Sequence, residues 1–404
     1  MLVYKVCVIS RGIHNIFIFD FLYTLWGKMR IALISDSHTR KNLNLVYNYL
    51  KNKATAWKID LIIINGDILG ENEVRENYGF NFKKKVYDLS INKKELLKEL
   101  TPDFEYLLKI PQVYEKGIKQ EVVDIEMSQH IKKYVEHRFD KMYEALVKFS
   151  KIKKTFFNIG NYESPLHYNI LKELSWLLDV PESYLRSIAL LSNYRQTFKE
   201  FLAKVKNPIN KNLKYIGGST QIVGDIMFAA IPGLNASSGI QDSTAEFQEK
   251  ITTDLLATIK RQLSYVSKLV ILNQTQGRLR KDPFAYRPGS VAVRKFIESI
   301  KGKLRQKIFI QSYHHFMTTH FYEAMEFNFM LNNSAVNNGL FNILEISTKV
   351  SCFDVDPILD KVRKLKSFNY NLDDYETPEQ RLALNYENSQ EILKEREIKG
   401  CYYM

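Results

Sequence analysis

Lys58-Ile-Asp-Leu-Ile-Ile-Ile-Asn-Gly-Asp-Ile-Leu-Gly70 is an apolar run that stops abruptly at a Gly-Asp pair. Leu61 to Ile64 are too few and too β-branched for a helix of their own and read as a strand buried on both faces. Asp67 emerges at the carboxyl end of that strand, where open α/β sheets place their ligands. A second strand of the same kind lies upstream, where Arg30-Ile-Ala-Leu-Ile-Ser35 runs into Asp36-Ser37-His38. Between the two, Leu43, Val46, Tyr47 and Leu50 recur at helical spacing, which makes a strand, helix, strand unit with parallel strands. Both carboxylates then fall on one sheet edge, and two acids with a histidine beside them suit a metal ion. Taken singly, each Asp also reads as a cap of the loop after its strand.

Further along, residues 71–118 lose clear periodicity and carry Lys83-Lys-Lys85 and Lys93-Lys94, as an inserted, mostly helical cap would. A long amphipathic helix is predicted over Val122 to Phe149, with Met127, Ile131, Val135, Phe139, Met142 and Leu146 on one face. It leads into a third strand, Thr155-Phe-Phe-Asn-Ile159, which ends in Gly160-Asn161-Tyr162-Glu163. Residues 165–206 return to helical patterns through Leu171, Leu174, Leu177 and Leu178, interrupted by Pro181, and read as a second part of the cap. Lys214 to Ile216, Gln221 to Val223 and Ile226 to Ile231 read as a hairpin-linked set of strands. A helix through Leu256, Ile259, Leu263 and Val266 precedes the strand Leu269 to Leu272, which ends in Asn273-Gln274-Thr275. After a basic loop from Arg278 to Arg287, a helix through Val293, Phe296, Ile297 and Ile300 precedes the strand Lys307 to Ile310, which opens onto Gln311-Ser-Tyr-His-His315. Alternation at Met325, Phe327, Phe329 and Leu331, then the apolar Phe341 to Ile346, reads as two antiparallel strands closing a second sheet.

Lys+Arg 58 against Asp+Glu 45 leaves a net charge of +13, which favours an anionic partner such as a phosphorylated substrate or nucleic acid. Cys7, Cys352 and Cys401 are far apart and form no Cys-x-x-Cys pair, so neither a disulfide framework nor a zinc-cysteine site is indicated. A reduced, cytoplasmic setting is expected. Ile16 to Trp26 is nearly continuous in apolar residues, but Asp20 interrupts it, and no run approaches the roughly 20 residues of a membrane span. Two readings stand for residues 1–28: an extension upstream of Met29, or an extra helix packed on the domain. The expected organisation is that extension, a domain over 29–350 with helical insertions at about 71–150 and 165–212, and a charged tail over 351–404 that reads as helical from residue 355.

Five strand ends in order present Asp36 and His38, Asp67, Asn161, Asn273 and Gln274, and His314 and His315. Oxygen and imidazole donors in this mixture suit divalent Mn, Fe, Zn or Mg. At this point the chain resembles the calcineurin-like metallophosphoesterase family, whose pattern is D-x-H, G-D, G-N-H-D/E, a lone H and G-H-x-H, each at the end of a core strand. The corresponding residues here are Asp36-Ser-His38, Gly66-Asp67, Gly160-Asn161-Tyr162-Glu163, Gln274 and Ser312-Tyr313-His314-His315, and the resemblance covers roughly residues 29–350. It implies an α/β fold, a four-layer α/β/β/α sandwich of two mixed sheets with helical cap insertions over the strand ends. It also implies phosphomonoester or phosphodiester hydrolysis by metal-bound hydroxide, with phosphorylated substrates; the lack of a long apolar run adds the expectation of no membrane partner. One metal site would comprise Asp36, His38, Asp67 and His315, with Asp67 bridging to a second ion and Asn161 touching that ion or the phosphate.

Three departures from the pattern carry consequences. Gln274 and Tyr313 stand where the second site has histidines, and a neutral amide oxygen binds a borderline metal less well than imidazole. Tyr162 stands where the family has its general-acid His, and a phenol with pKa near 10 is poorly matched to acid catalysis near neutrality. One ion bound firmly, a second weakly or not at all, and slow chemistry are therefore expected. A one-residue slip of the last motif would put His314 in the first-His place and leave the first site without its fourth ligand. Glu163 is expected to orient its neighbours by hydrogen bonding. The alternative function is a catalytically lapsed member of the family serving as a binding or scaffold module, with nucleic acid among its candidate partners.

Overall fold

The computed structural model describes residues 28–35, 37, 40–68, 80–81, 86–87, 93–115, 121–160, 163, 170–191, 194–206, 210–232, 243–273, 292, 295–296, 299–300, 304, 306–311, 320–323, 329–332, 340–365 and 368–369. Its strands are β1 (Met29–Ile34), β2 (Leu61–Asn65), β3 (Phe80–Asn81), β4 (Val86–Tyr87), β5 (Thr155–Asn158), β6 (Leu213–Tyr215), β7 (Ser219–Val223) and β8 (Ile226–Ile231). They continue with β9 (Lys268–Asn273), β10 (Gln306–Gln311), β11 (His320–Glu323), β12 (Phe329–Asn332), β13 (Phe341–Ile346), β14 (Val350–Asp356), β15 (Lys361–Lys364) and β16 (Phe368–Asn369). One sheet runs β15-β14-β13-β1-β2-β5-β6 and the other β16-β11-β12-β10-β9-β8-β7, with β3 and β4 forming a small hairpin apart. Both sheets are mixed. β1, β2, β5 and β6 are parallel while β13, β14 and β15 pair antiparallel. In the second sheet β8, β9, β10 and β12 are parallel, β7 pairs antiparallel with β8 and β11 antiparallel with β12, and β16 lies parallel to β11.

Alternation of side chains along each strand builds the layers. Ile31 and Leu33 of β1, Leu61 and Ile63 of β2, and Phe156 of β5 meet Ile226, Phe228 and Ala230 of β8, Val270 and Leu272 of β9, and Ile308 and Ile310 of β10 between the sheets. The intervening residues Ala32, Ile34, Ile62, Ile64 and Phe157 face outward into a helical layer. On the far side, Met227, Ala229, Leu269 and Ile271 pack against Leu255, Leu256 and Ile259 of the helix Ser243–Gln262. This is the four-layer α/β/β/α sandwich, and strands buried on both faces explain why β2 reads as an unbroken apolar run.

The helical layer on the first sheet takes in the β1–β2 crossover Arg40–Lys53, through Leu43, Val46 and Leu50, and the long helix Glu121–Ile152. All six positions expected on one face of the latter, from Met127 to Leu146, are buried. Helices Ile170–Leu178, Glu182–Leu191 and Tyr194–Val205 join the same cluster, and so do Ile68 and Ile159, immediately past the ends of β2 and β5. An ion pair knits this layer internally. Arg138 Nη2 donates to Glu173 Oε2 at 3.1 Å, the Tyr134 hydroxyl donates to Glu173 Oε1 at 2.5 Å, and the Arg138 and Glu173 side chains are each 1% exposed. No described helix is long and apolar enough to cross a membrane.

Three expectations are corrected. The charged tail over 351–404 reads as helical from residue 355, yet among its described residues β14 and β15 extend the first sheet and β16 pairs with β11. The acidic residues of β14 hid its β pattern, whereas Val350, Cys352 and Val355 are buried, and Asp354 and Asp356 stand in register with Arg363 and Lys361. The segments around Phe329 and Phe341 do not close one sheet together. β12 lies parallel to β10 in the second sheet, and β13 lies antiparallel to β1 in the first. Of the three segments expected as hairpin-linked, β7 and β8 form the hairpin, while β6 pairs with β5 across the sandwich.

Candidate functional site

β2 ends because Gly66 and Asp67 both take left-handed backbone conformations, with φ of 77° and 49°. Glycine does so freely, and aspartate is among the few other residues that tolerate it. The turn leaves Asp67 4% exposed. Its backbone N–H donates to Glu163 Oε2 at 3.0 Å, and the N–H of Gly160 donates to the same oxygen at 2.7 Å. Glu163 is fully buried, so one carboxylate, through charge-assisted bonds, gathers the loops that follow the neighbouring parallel strands β2 and β5. The approach is close. A β-carbon on residue 160 would lie 1.8 Å from Asp67 Oδ1 and 2.4 Å from the Asp67 nitrogen, so glycine is required there. The loop after β1 joins the same edge through Ser37, whose hydroxyl donates to the carbonyl of Ile68 at 3.3 Å.

Beneath these loops the filling between the sheets turns from apolar to polar. Leu61 and Ile63 of β2 and Phe156 of β5 face the gap, and alternation carries Asn65 and Asn158 into the same face. The two stand in register on adjacent strands, and both are fully buried. Asn158 Nδ2 donates to Asn65 Oδ1 at 3.1 Å and to the carbonyl of Ile231, at the end of β8 in the second sheet, at 2.9 Å. Ile231 is in register with Asn273 of β9, and Asn273 with Gln311 of β10. The carboxyl ends of β2, β5, β8, β9 and β10 therefore share one edge of the sandwich. On the other side of β1, Asn342 stands in register with Leu33 and donates to Asp354 Oδ1 at 2.7 Å. Asp354 and Asp356 are 5% and 2% exposed, and Ser35 is 1% exposed. On β6, burial and then the charge of Glu163 push the Tyr215 hydroxyl well above its ordinary value, which keeps it protonated.

Of the residues singled out in the sequence, Asp67 stands at the strand end where it was expected, and Glu163 hydrogen-bonds the backbone of its neighbours. Asp36, His38, Asn161, Tyr162, Gln274, Tyr313, His314 and His315 lie outside the described residues. Among the described residues no group of three or more His, Cys, Asp or Glu could hold a metal ion. Asp67 itself fits one ligand position for a divalent cation: a hard oxygen donor, on a loop fixed by Glu163, seated in the space a side chain at residue 160 would fill. Sequence reasoning missed Asn65, Asn158, Asn342, Asp354 and Asp356. The signal for the first two was present, as an asparagine that breaks the apolar run at the same level of two parallel strands.

No protein-family model and no curated protein matches the chain. Solved structures similar to it include a dimetal phosphatase from Danio rerio, 10% identical, with TM-score 0.42 over 84% of this chain and 99% of that one. A purple acid phosphatase from yellow lupin (Lupinus luteus) seeds is 10% identical, with TM-score 0.40 over 87% of this chain and 56% of that one. A 5'-nucleotidase from Candida albicans is 9% identical, with TM-score 0.36 over 82% of this chain and 52% of that one.

Proposed function

We propose that the chain is a metal-dependent phosphoesterase that hydrolyses a phosphomonoester or phosphodiester at the carboxyl edge shared by both sheets. The observation that carries this reading is the Glu163 clamp, which holds the backbone of Asp67 against Gly160 at the end of a doubly buried strand. Asp36, His38, Asp67 and His315 would hold one ion, and Asn161 would reach a second ion or the phosphate. A divalent cation bound there, Mn, Fe, Zn or Mg, supplies Lewis acidity that activates water and offsets charge developing on the phosphoryl oxygens. Glu163 fixes the Asp67 backbone, and Asn65 with Asn158 forms the polar floor. The net charge of +13 draws an anionic substrate toward the chain.

The second reading, a scaffold that binds without turning over, draws its support from Tyr162, Gln274 and Tyr313, which replace a general acid and two imidazole ligands of the family pattern. Protein equilibrated with manganese and freed of excess by gel filtration should retain at least one ion per chain by elemental analysis, and Asp67→Asn should retain none. Hydrolysis of an activated phosphodiester should require the metal and disappear in the same variant. Metal retention without turnover would favour the binding module, and a steep fall of DNA affinity with salt would then give that module its ligand. Equal manganese content in wild type and Asp67→Asn would overturn the site.

A further inference from the structure

The floor of the site contains one side chain that crosses from sheet to sheet. Asn158 sits on β5 of the first sheet, yet its amide nitrogen bonds the carbonyl of Ile231 on β8 of the second, 73 residues away, as well as Asn65 beside it. Two facing acceptors fix the amide orientation, because a flipped amide would point its oxygen at both of them. That orientation leaves Asn158 Oδ1 buried without a hydrogen-bond partner among the described residues. An apolar side chain of similar size would avoid the unpaired oxygen but give up both bonds, one of them to the other sheet. What the amide supplies is a fixed spacing between the two carboxyl edges.

We propose that Asn158 is a positioning residue: it bolts the two sheets together directly beneath the site and sets the distance between ligands carried by the first sheet and those carried by the second. The importance of that distance rests on the metal-site reading above. Asp36, His38, Asp67 and Asn161 follow strands of the first sheet, whereas Gln274 and His315 follow β9 and β10. Without the bolt the donors on the two sides lose their common spacing, although none of them is altered. Supporting groups of this kind typically change metal affinity about 10–100-fold.

The experiment compares wild type with Asn158→Leu, Asn158→Ser and Thr155→Val. Thr155 is buried at the opposite end of the same strand, where its hydroxyl bonds the Lys153 carbonyl at 3.0 Å, and it serves as a control for general loss of stability. Manganese titration by calorimetry should show dissociation constants at least about tenfold weaker in both Asn158 variants and unchanged in Thr155→Val. Hydrogen exchange, read without metal, should quicken at the carboxyl ends of β8 and β9, near Ile231 and Leu272, and not at their amino ends, near Ile226 and Leu269. Exchange that quickens equally at both ends, or manganese affinity that falls as much in Thr155→Val, would overturn the positioning role. If the wild-type protein binds no manganese, the metal-site reading fails, and the exchange pattern alone decides whether Asn158 bolts the edges. If Asn158→Leu does not fold, Asn158→Ser carries both measurements.

Discussion

Gly160→Ala perturbs the candidate site without removing any polar group. A β-carbon on residue 160 lies 1.8 Å from Asp67 Oδ1, 2.4 Å from the Asp67 nitrogen and 2.5 Å from its Cγ, where ordinary contact begins at 3.4 Å. The carboxylate must retreat by about 1.6 Å, the difference between 3.4 and 1.8, and the backbone nitrogen by about 1 Å. That nitrogen and the nitrogen of residue 160 are the two donors to Glu163 Oε2, so the retreat also strains the clamp. Overpacking costs about 1–3 kcal/mol, and loss of a hydrogen bond to a buried charge about 1.5–3 kcal/mol. Even the low ends of both ranges predict a loss of about 2.5 kcal/mol, or a fall of about 1 M in the urea midpoint for a slope near 2 kcal/mol per M. Metal ligands must sit within about 0.2 Å of their bonding distance, so manganese affinity should fall by far more than the uncertainty of a calorimetric titration. A Gly160→Ala protein with the wild-type midpoint and wild-type manganese affinity would refute the close approach of the loops after β2 and β5.

Arg138→Met tests whether the helical layer is energetically separate from the site. Removing one partner of a buried ion pair costs about 3–5 kcal/mol, so thermal unfolding should shift sharply downward while manganese affinity stays at the wild-type value. Glu345→Gln tests the anchoring of the first strand. Burial acts to raise the Glu345 carboxyl, but hydrogen bonds from Lys28 at 2.6 Å and Arg30 at 3.0 Å more than offset it and hold the group below its ordinary value. A carboxyl lowered in the folded state contributes stability above its unfolded pKa and loses it as pH falls through the folded one. The stability gap between wild type and Glu345→Gln, followed by urea unfolding across pH, should be open at neutrality and close on the acid side of the carboxylate range.

What the sequence disclosed was what repeats locally. Leu61 to Ile64 announce a doubly buried strand because both of their faces are apolar, and the stripe from Met127 to Leu146 announces its helix because burial follows the 3.6-residue period. Sheet membership is not local. β6 is three residues long and pairs with Thr155 to Phe157, and β13 finds β1 more than 300 residues away in sequence, as the bond between Arg30 and Glu345 records. Nothing in either segment names its partner. β14 was obscured for a different reason: its buried aspartates belong to a polar rim that exists only once two sheets face each other. The site divides in the same way. Asp67 was legible because Gly66-Asp67 cuts an apolar run, whereas the role of Asn158 depends on a carbonyl in the other sheet.

The backbone at Asp67 bears on the choice between an active and a lapsed site. A non-glycine residue in the left-handed region costs about 1–2 kcal/mol, and Asp67 bears that cost at φ 49° while almost wholly buried. Its amide is held by Glu163, a second buried carboxylate, and its side chain fits only because residue 160 has none. The two buried acids are brought this close through shared backbone donors, the N–H groups of Asp67 and Gly160. A loop cap would need none of this, because an exposed asparagine or serine after β2 could satisfy the same turn. The replacements at residues 162, 274 and 313 weaken what the family pattern places around a second ion and the leaving group. They leave untouched the machinery that presents Asp67. The proposed cation site therefore turns on how Asp67 is presented, which Glu163 and Gly160 fix together.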